Sequence, residues 1–300
     1  MENKKTRTAV TVLGLGKMGT AIAKTLLKEN VRITTWNRTV DKSLVLEPEG
    51  AITASTVTEA IMSSQVVIIS LSDYGVVDSL LRPLHNLMAD KLIINLTNGS
   101  PIQSRQTANY LMSAGAHYLD GGIMAIPPML GQRNALLLFS GSETAFNHHK
   151  ELLTTLGTCH FIDEDPGRAA LYDLALLAAM YGMFSGYLQS IALIKSAQVK
   201  AREFTPMVVQ WLQAMTQTLS RMGEDIDSKS YADHVAARLD MQTTSFENLI
   251  DTYKTIGIPV DLVLPLKHHM ETTVLNGYNN ANFSSVFETI KGNKLNNDES

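Results

Sequence analysis

The sequence predicts an α/β domain with a doubly wound, mainly parallel sheet, joined by a long helix to an all-α C-terminal domain. Three observations predict it. In the first half, short apolar runs at 10–13, 31–36, 66–70, 92–96, 117–119 and 135–139 alternate with amphipathic segments such as 76–88. That is the pattern of parallel strands with helical crossovers. Pro166-Gly167 then interrupts the chain, and no proline occurs from Arg168 to Lys200. Beyond that run the patterns are helical, at 206–221, 231–256 and 260–276, the last with an expected kink at Pro265. The division is therefore placed at 1–164 and 165–300, and 300 residues suffice for two domains with sizeable cores.

The first strand and helix are joined by a glycine turn, VTVLGLGKMG at 10–19. Gly14 permits the tight turn, Gly16 lets the backbone approach a pyrophosphate, and Gly19 lets the helix pack closely on the strand. Together with Leu15, Lys17 and Met18 these residues form a Rossmann-type dinucleotide cradle, where the helix N-terminus offers unpaired N–H groups to phosphate. The second strand ends in Asn37-Arg38-Thr39 with Lys42 close behind, and no carboxylate stands at its tip. A carboxylate there would select NAD through the ribose hydroxyls. Arg38 can stack on adenine or pair with a 2′-phosphate, and Asn37 and Thr39 can donate hydrogen bonds, so the expected cofactor is NADPH. The sheet topology places ligand at the C-terminal strand ends, which adds Ser70, Leu71, Ser72, Asn95 and Thr97 to the cofactor side. The loops at 95–101 (NLTNGSP) and 121–128 (GGIMAIPP) are positioned to line a nicotinamide and substrate pocket.

Composition narrows the class. Hydrophobic residues make up 45% and charged residues 18%, as in soluble globular proteins. A net charge of −4 gives no basic face for nucleic acid. The single cysteine, Cys159, forms no intrachain disulfide and fits a reducing, cytoplasmic compartment. The polar start MENKKTRT carries no secretory apolar region, and the polar tail at 293–300 is expected to be disordered. The adjacent pairs His148-His149 and His268-His269 do not face one way on a helix, so no metal site is expected.

Residues 174–194 are 21 positions without a charge, long enough to cross a membrane. Tyr181, Ser185, Tyr187, Gln189 and Ser190 reach into the middle of this stretch, and a dinucleotide domain precedes it. A buried core helix accounts for it without a membrane. A helix over 168–200 would be about 50 Å long. That exceeds one small domain, so a second copy in a C2 dimer is the economical cover for its far end.

The VLGLGKMG turn, the WNRT after the second strand, the NLTNGSP loop and the long interdomain helix resemble the β-hydroxyacid dehydrogenase superfamily over most of the chain. Dehydrogenases of that superfamily carry a lysine early in the interdomain helix, in a pattern like G-x-A-A-K-x-x-N-N. The matching stretch here is GRAALYDLA, with Leu171 at the lysine position and both asparagines lost. Leucine cannot polarise a carbonyl. The segment is instead similar to the NADPH-dependent imine reductases of the same fold, in their tyrosine-bearing group.

That resemblance implies Tyr181 as proton donor, Asp173 as a second polar group and, with Asn98, the trio carried by reductive aminases. It implies apolar pocket walls from Met124, Ile126, Trp211, Leu239 and Met241, and a homodimer whose active site is shared between subunits. The chemistry agrees. An imine nitrogen is far more basic than a carbonyl oxygen, so a phenol of ordinary pKa about 10 can protonate it. An ionised Asp173 would stabilise an iminium. Positions 173 and 181 lie about 80° apart round a helix, so both could border one pocket. Each has a plainer alternative: a tyrosine buried with one hydrogen bond, an asparagine serving the turn beside Gly99, core side chains for the walls. The rival functions are a carbonyl reductase of the hydroxyacid type and a non-catalytic NADPH sensor.

Overall fold

Eight strands make one sheet in the computed structural model, which describes residues 8–292. The strands are β1 (Ala9–Leu13), β2 (Arg32–Trp36), β3 (Ile52–Thr53), β4 (Val66–Ile69), β5 (Leu92–Asn95), β6 (His117–Met124), β7 (Leu136–Gly141) and β8 (Thr158–Asp163). Their order is β3-β2-β1-β4-β5-β6-β7-β8, parallel throughout except for the antiparallel pair β6 and β7. The helices are α1 (Lys17–Lys28), α2 (Asp41–Leu44), α3 (Val57–Met62), α4 (Tyr74–Leu81), α5 (Pro101–Ser113), α6 (Glu143–His148) and α7 (Lys150–Thr154). They continue with α8 (Gly167–Ser196), α9 (Ala201–Thr216), α10 (Leu219–Ser228), α11 (Leu239–Ile256), α12 (Leu264–Thr273) and α13 (Phe287–Ile290).

The central strands are apolar without alternation because both faces are covered. Val10, Val12, Val66, Ile68, Leu92 and Ile94 face one core with Ile22, Ala23 and Leu26 of α1 and with Phe146 and Leu153. Their neighbours Leu13, Val67, Ile69 and Ile93 face the other core, with Ile61, Val77, Leu81, Ala108 and Leu111 of α3, α4 and α5. This is the doubly wound sheet that the alternating pattern predicts.

Several element limits differ from expectation. The strand expected at 117–119 runs on to Met124, because Gly121 and Gly122 pair with Phe139 and Leu138 across the antiparallel ladder. The helix expected over 76–88 gives way after Leu81 to a 3-10 stretch, Arg82–Leu87, where Pro83 lacks the N–H an α-helix needs. Pro206 lies inside α9 instead of starting it. Pro265 stands in the first turn of α12, where no N–H is required, and so starts that helix instead of kinking it. Residues 231–237 are turns, and the helix begins only at Leu239, whose N–H bonds Ala281 O at 2.9 Å. The polar tail lies outside the described residues.

α8 begins at an anchored corner. Asp165 accepts a bidentate pair from Arg105, 2.8 and 2.7 Å, and its Oδ1 also takes the Gly167 N–H at 3.0 Å. Ser104 and Ser140 both donate to Pro166 O. By compactness the chain divides within this helix, between Ala179 and Met180. The second unit is helical and has small cores, one of Leu239, Met270 and Val286, another of Ile250, Tyr253 and Val263. Buried Asp225 joins two of its segments, accepting from Arg221 Nε at 3.1 Å and Ser284 Oγ at 3.0 Å.

The core-helix expectation for 174–194 does not hold within one chain. Of α8 only Gly167, Ala169, Ala170 and Asp173 are buried. Its remaining apolar side chains are left partly or fully open.

Candidate active site

The glycine turn is built as its spacing requires. Gly14 has φ +93°, and a Cβ there would come within 2.3 Å of Ser70 O. A Cβ on Gly19 would lie 1.9 Å from Gly14 O, so this glycine sets the closeness of α1 to β1. Gly16 is different. It caps α1 with no side-chain hydrogen bond, its φ of −67° suits any residue, and a Cβ would meet nothing within 4 Å. The protein's own packing therefore does not demand glycine at 16. What does is an open approach to the first-turn N–H groups, which have no partner inside a helix. No acidic residue stands in that turn, so the cradle fits a pyrophosphate.

A cleft of about 580 Å³ opens over this turn. Gly14, Gly16, Lys17, Met18, Trp36, Asn37, Arg38, Thr39, Lys42, Ser70, Leu71 and Ser72 line it, together with Val76, Ser79 and Leu80, which the motifs did not single out. Arg38, Lys17 and Lys42 are not engaged in any ion pair among the described residues. The cleft thus presents three cations and several hydroxyls, a setting that suits a 2′-phosphate dinucleotide.

Four residues expected on the cofactor side also make contacts within the protein. Leu15 packs its side chain in the core, and its N–H is held by Asn37 Oδ1 at 2.9 Å. Asn37 also donates to Thr39 O at 2.9 Å, so it shapes the loop that carries Arg38. Asn95 is fully buried: its Nδ2 donates to Tyr118 OH at 3.2 Å and its Oδ1 accepts from Thr97 N at 3.1 Å. Thr97 is buried as well, its Oγ1 accepting from Leu71 N at 3.2 Å. Asn95 and Thr97 hold the cleft wall in place from behind it.

At the neighbouring strand ends, Asn98 Nδ2 donates to Asp173 Oδ2 at 2.6 Å. Asp173 is only 5% exposed, and a Cβ on Gly122 would approach it to 3.0 Å. Burial raises the proton affinity of its carboxyl, and the Asn98 hydrogen bond opposes that rise. Deeper lies a polar group that the motifs did not reveal. Asp120 Oδ1 accepts from both Tyr74 OH and Tyr118 OH, the latter at 2.9 Å. Burial pushes Asp120 up to about 6, against the pull of the two phenols. Tyr118 and Asp120 share one face of β6 as an i, i+2 pair, but no sequence spacing betrays Tyr74, 46 residues away.

Of the expected pocket walls, Met124 is half-buried and Ile126 is exposed at the end of β6. In the second unit, Trp211 and Met241 are exposed, Met241 lining an apolar groove with Phe246, Leu249 and Leu266. Tyr181 is 63% exposed. Leu239 corrects the expectation outright: it is 0% exposed and packs in the core with Met270 and Val286, so it walls no pocket.

Comparison with known proteins bears on what this arrangement is for. Residues 9–163 match the NAD binding domain of 6-phosphogluconate dehydrogenase, and residues 165–292 match the C-terminal domain of NADPH-dependent reductive aminase-like proteins. The NADPH-dependent reductive aminase of Aspergillus oryzae is 39% identical over 287 residues, 94% of this chain and 97% of that protein. The chain belongs to the NADPH-dependent reductive aminase family. Solved structures of imine-reducing enzymes share its fold. The reductive aminase from Aspergillus terreus, in complex with NADPH4, cyclohexanone and allyl amine, is 38% identical with a TM-score of 0.90, covering 95% of this chain and 100% of that one. The imine reductase from Myxococcus stipitatus, in complex with NADP+, is 29% identical with a TM-score of 0.90, covering 94% and 100%. Membership in the reductive aminase family agrees with a cleft that carries Arg38 where NAD enzymes carry an acid.

Proposed function

We propose that the protein is an NADPH-dependent imine reductase that also takes a ketone and an amine through to the product amine. The observation that carries this reading is the Asn98–Asp173 pair, in which a buried carboxylate is held by an exposed amide. A buried carboxylate, held ready by one amide, stabilises positive charge on nitrogen and has nothing to offer a carbonyl oxygen. When bound, NADPH supplies the hydride that goes to the C=N carbon. The chain's own residues do the rest. Arg38, Lys17 and the first turn of α1 hold the phosphates, and Asp173 favours the iminium form of the substrate. Tyr181 delivers or relays a proton to nitrogen, a step within reach of a phenol because imines are basic.

The same reading includes a homodimer. α8 is long and apolar enough to cross a membrane by composition, yet only 6% of its most apolar window is buried in a single chain. Phe184, Leu188, Met207, Trp211 and Leu219 are exposed along this helix and the two that follow. A second copy would cover that face and complete the substrate pocket, as the resemblance to shared-site reductases implies. The single cysteine supports a cytoplasmic setting.

The test is NADPH consumption with cyclic imines, with ketones in the presence and absence of amine, and NADP+ reduction with 3-hydroxy acids. Turnover of imines and of ketone plus amine is expected. Oxidation of hydroxy acids alone would favour the dehydrogenase reading, and cofactor binding without turnover would favour a sensor. Tyr181→Phe is expected to lower kcat at least tenfold with unchanged NADPH affinity. An unchanged rate with a 1-pyrroline-type imine would remove the proton role.

A further inference from the structure

Asp120 sits where the cofactor wall and the Asn98–Asp173 pair can be tied together. It is 2% exposed, opposite Asn95 in the β5–β6 ladder, and carries no ion pair among the described residues. A single oxygen, Oδ1, accepts from two phenols that lead in different directions. Tyr74, at the start of α4, lays its ring against Gly99, where a Cβ would fall 2.3 Å from the ring. It therefore fixes the backbone directly after Asn98, whose amide holds Asp173. Tyr118 leads the other way. Its hydroxyl accepts from Asn95, Asn95 holds Thr97 N, and Thr97 Oγ1 holds Leu71 N on the wall of the cleft.

We propose that Asp120 is a positioning residue with two arms, one through Tyr74 to the Asn98–Asp173 pair and one through Tyr118 and Asn95 to the cofactor loop at Leu71. This rests on the reading of Asn98 and Asp173 as the substrate-side polar pair. A buried carboxylate is costly unless hydrogen bonds hold it. Here those bonds also pin two segments that an apolar core would leave loose. Burial raises the Asp120 carboxyl, and the negative charge of Asp173 adds to the rise.

The arms make separable predictions. Tyr74→Phe loses one hydrogen bond on the substrate side, which is expected to lower kcat about tenfold while the NADPH KM stays within about twofold. Tyr118→Phe loses the other arm and leaves Asn95 Nδ2 unpartnered. It is expected to raise the NADPH KM about tenfold with kcat within about threefold. Asp120→Ala is expected to show both losses. Asp120→Asn keeps an oxygen for both phenols and should recover most of each. A purely structural role would lower the melting temperature of both tyrosine variants and move kcat and KM together. That outcome, or no recovery in Asp120→Asn relative to Asp120→Ala, overturns the proposal. Asn98→Ala serves as reference. If it runs at the parent rate, the substrate-side reading itself fails. If it is slow while Tyr74→Phe is not, only the two-arm assignment fails.

Discussion

Substitution at Gly16 separates what the fold needs from what the cofactor needs. A Cβ at 16 meets nothing within 4 Å, and the backbone already sits at φ −67° and ψ −175°, open to alanine. Alanine is a poorer helix cap than glycine by about 0.5–1 kcal/mol. The loss of chain freedom in the unfolded state returns about 0.4–1 kcal/mol. Stability should therefore change by no more than about 0.5 kcal/mol, about 1–2 °C in melting temperature for a domain of this size. The cofactor sees a different change, since the new methyl stands at the mouth of the cleft before the first-turn N–H groups. Displacing a phosphate oxygen from one of them loses a charge-assisted hydrogen bond, about 1.5–3 kcal/mol, or about 10- to 150-fold in Kd. Gly19→Ala is the contrast. Its Cβ would lie 1.9 Å from the Gly14 carbonyl oxygen, which is backbone and cannot step aside. Overpacking of this kind costs about 1–3 kcal/mol, a fall of about 2–12 °C. Thermal unfolding without cofactor and fluorescence titration with NADPH read the two effects. The reasoning is refuted if Gly16→Ala binds NADPH as tightly as the parent, or if it is destabilised as much as Gly19→Ala.

Arg38→Ala is expected to weaken NADPH about 10- to 100-fold and to leave NADH within about threefold, since only the former carries the 2′-phosphate. Equal losses for both cofactors in a binding titration would remove the phosphate assignment. The Arg105 guanidinium holds the Asp165 carboxyl down at about 2, below its ordinary 3.8. A lowered pKa stabilises the fold above the ordinary value and is lost as pH falls. Unfolding followed by circular dichroism should therefore show stability declining between pH of about 4 and about 2, and Arg105→Gln should flatten that decline. An identical acid profile in the variant would show that the pair contributes nothing there.

The cofactor half of the site was largely legible in the sequence. The glycine spacing, the missing acid after β2 and the strand-end rule are local signals, and local signals survive without tertiary knowledge. Where they erred, the reason is that a strand end has two sides. Asn95 and Thr97 point into the protein and act from behind, while Ser70 to Ser72 reach the cleft. Leu239 erred for a related reason, since an apolar side chain at the start of a helix looks the same in sequence whether it walls a pocket or fills a core. The Asp120 group could be read only in part. Tyr118 shares its face of β6, whereas Tyr74 comes from α4, a distant segment, and only the tertiary fold brings it there. The core-helix reading of α8 fails within one chain because composition records how apolar a helix is, not what covers it.

The leucine at 171 illustrates how a resemblance and a geometry can diverge. The hydroxyacid dehydrogenase pattern places a lysine at this position. Residues 171 and 173 lie about 200° apart round a helix, so they face nearly opposite ways. Asp173 is buried against Gly122 and Asn98, whereas Leu171 is 43% exposed. On this geometry the lysine position does not share a face with Asp173, and in the proposed reading it is the carboxylate at 173 that sets the chemistry beside Asn98. Leu171→Lys should then fold normally, since its ammonium can reach water. It should gain no NADP+-dependent oxidation of 3-hydroxy acids, and imine reduction should stay within about threefold of the parent, because a lysine facing away from Asp173 adds little to its field. Hydroxy-acid oxidation in the variant at a rate comparable to the parent's imine reduction would show that position 171 does face the reacting atoms. That result would remove the Asn98–Asp173 pair as the proposed selector of imines.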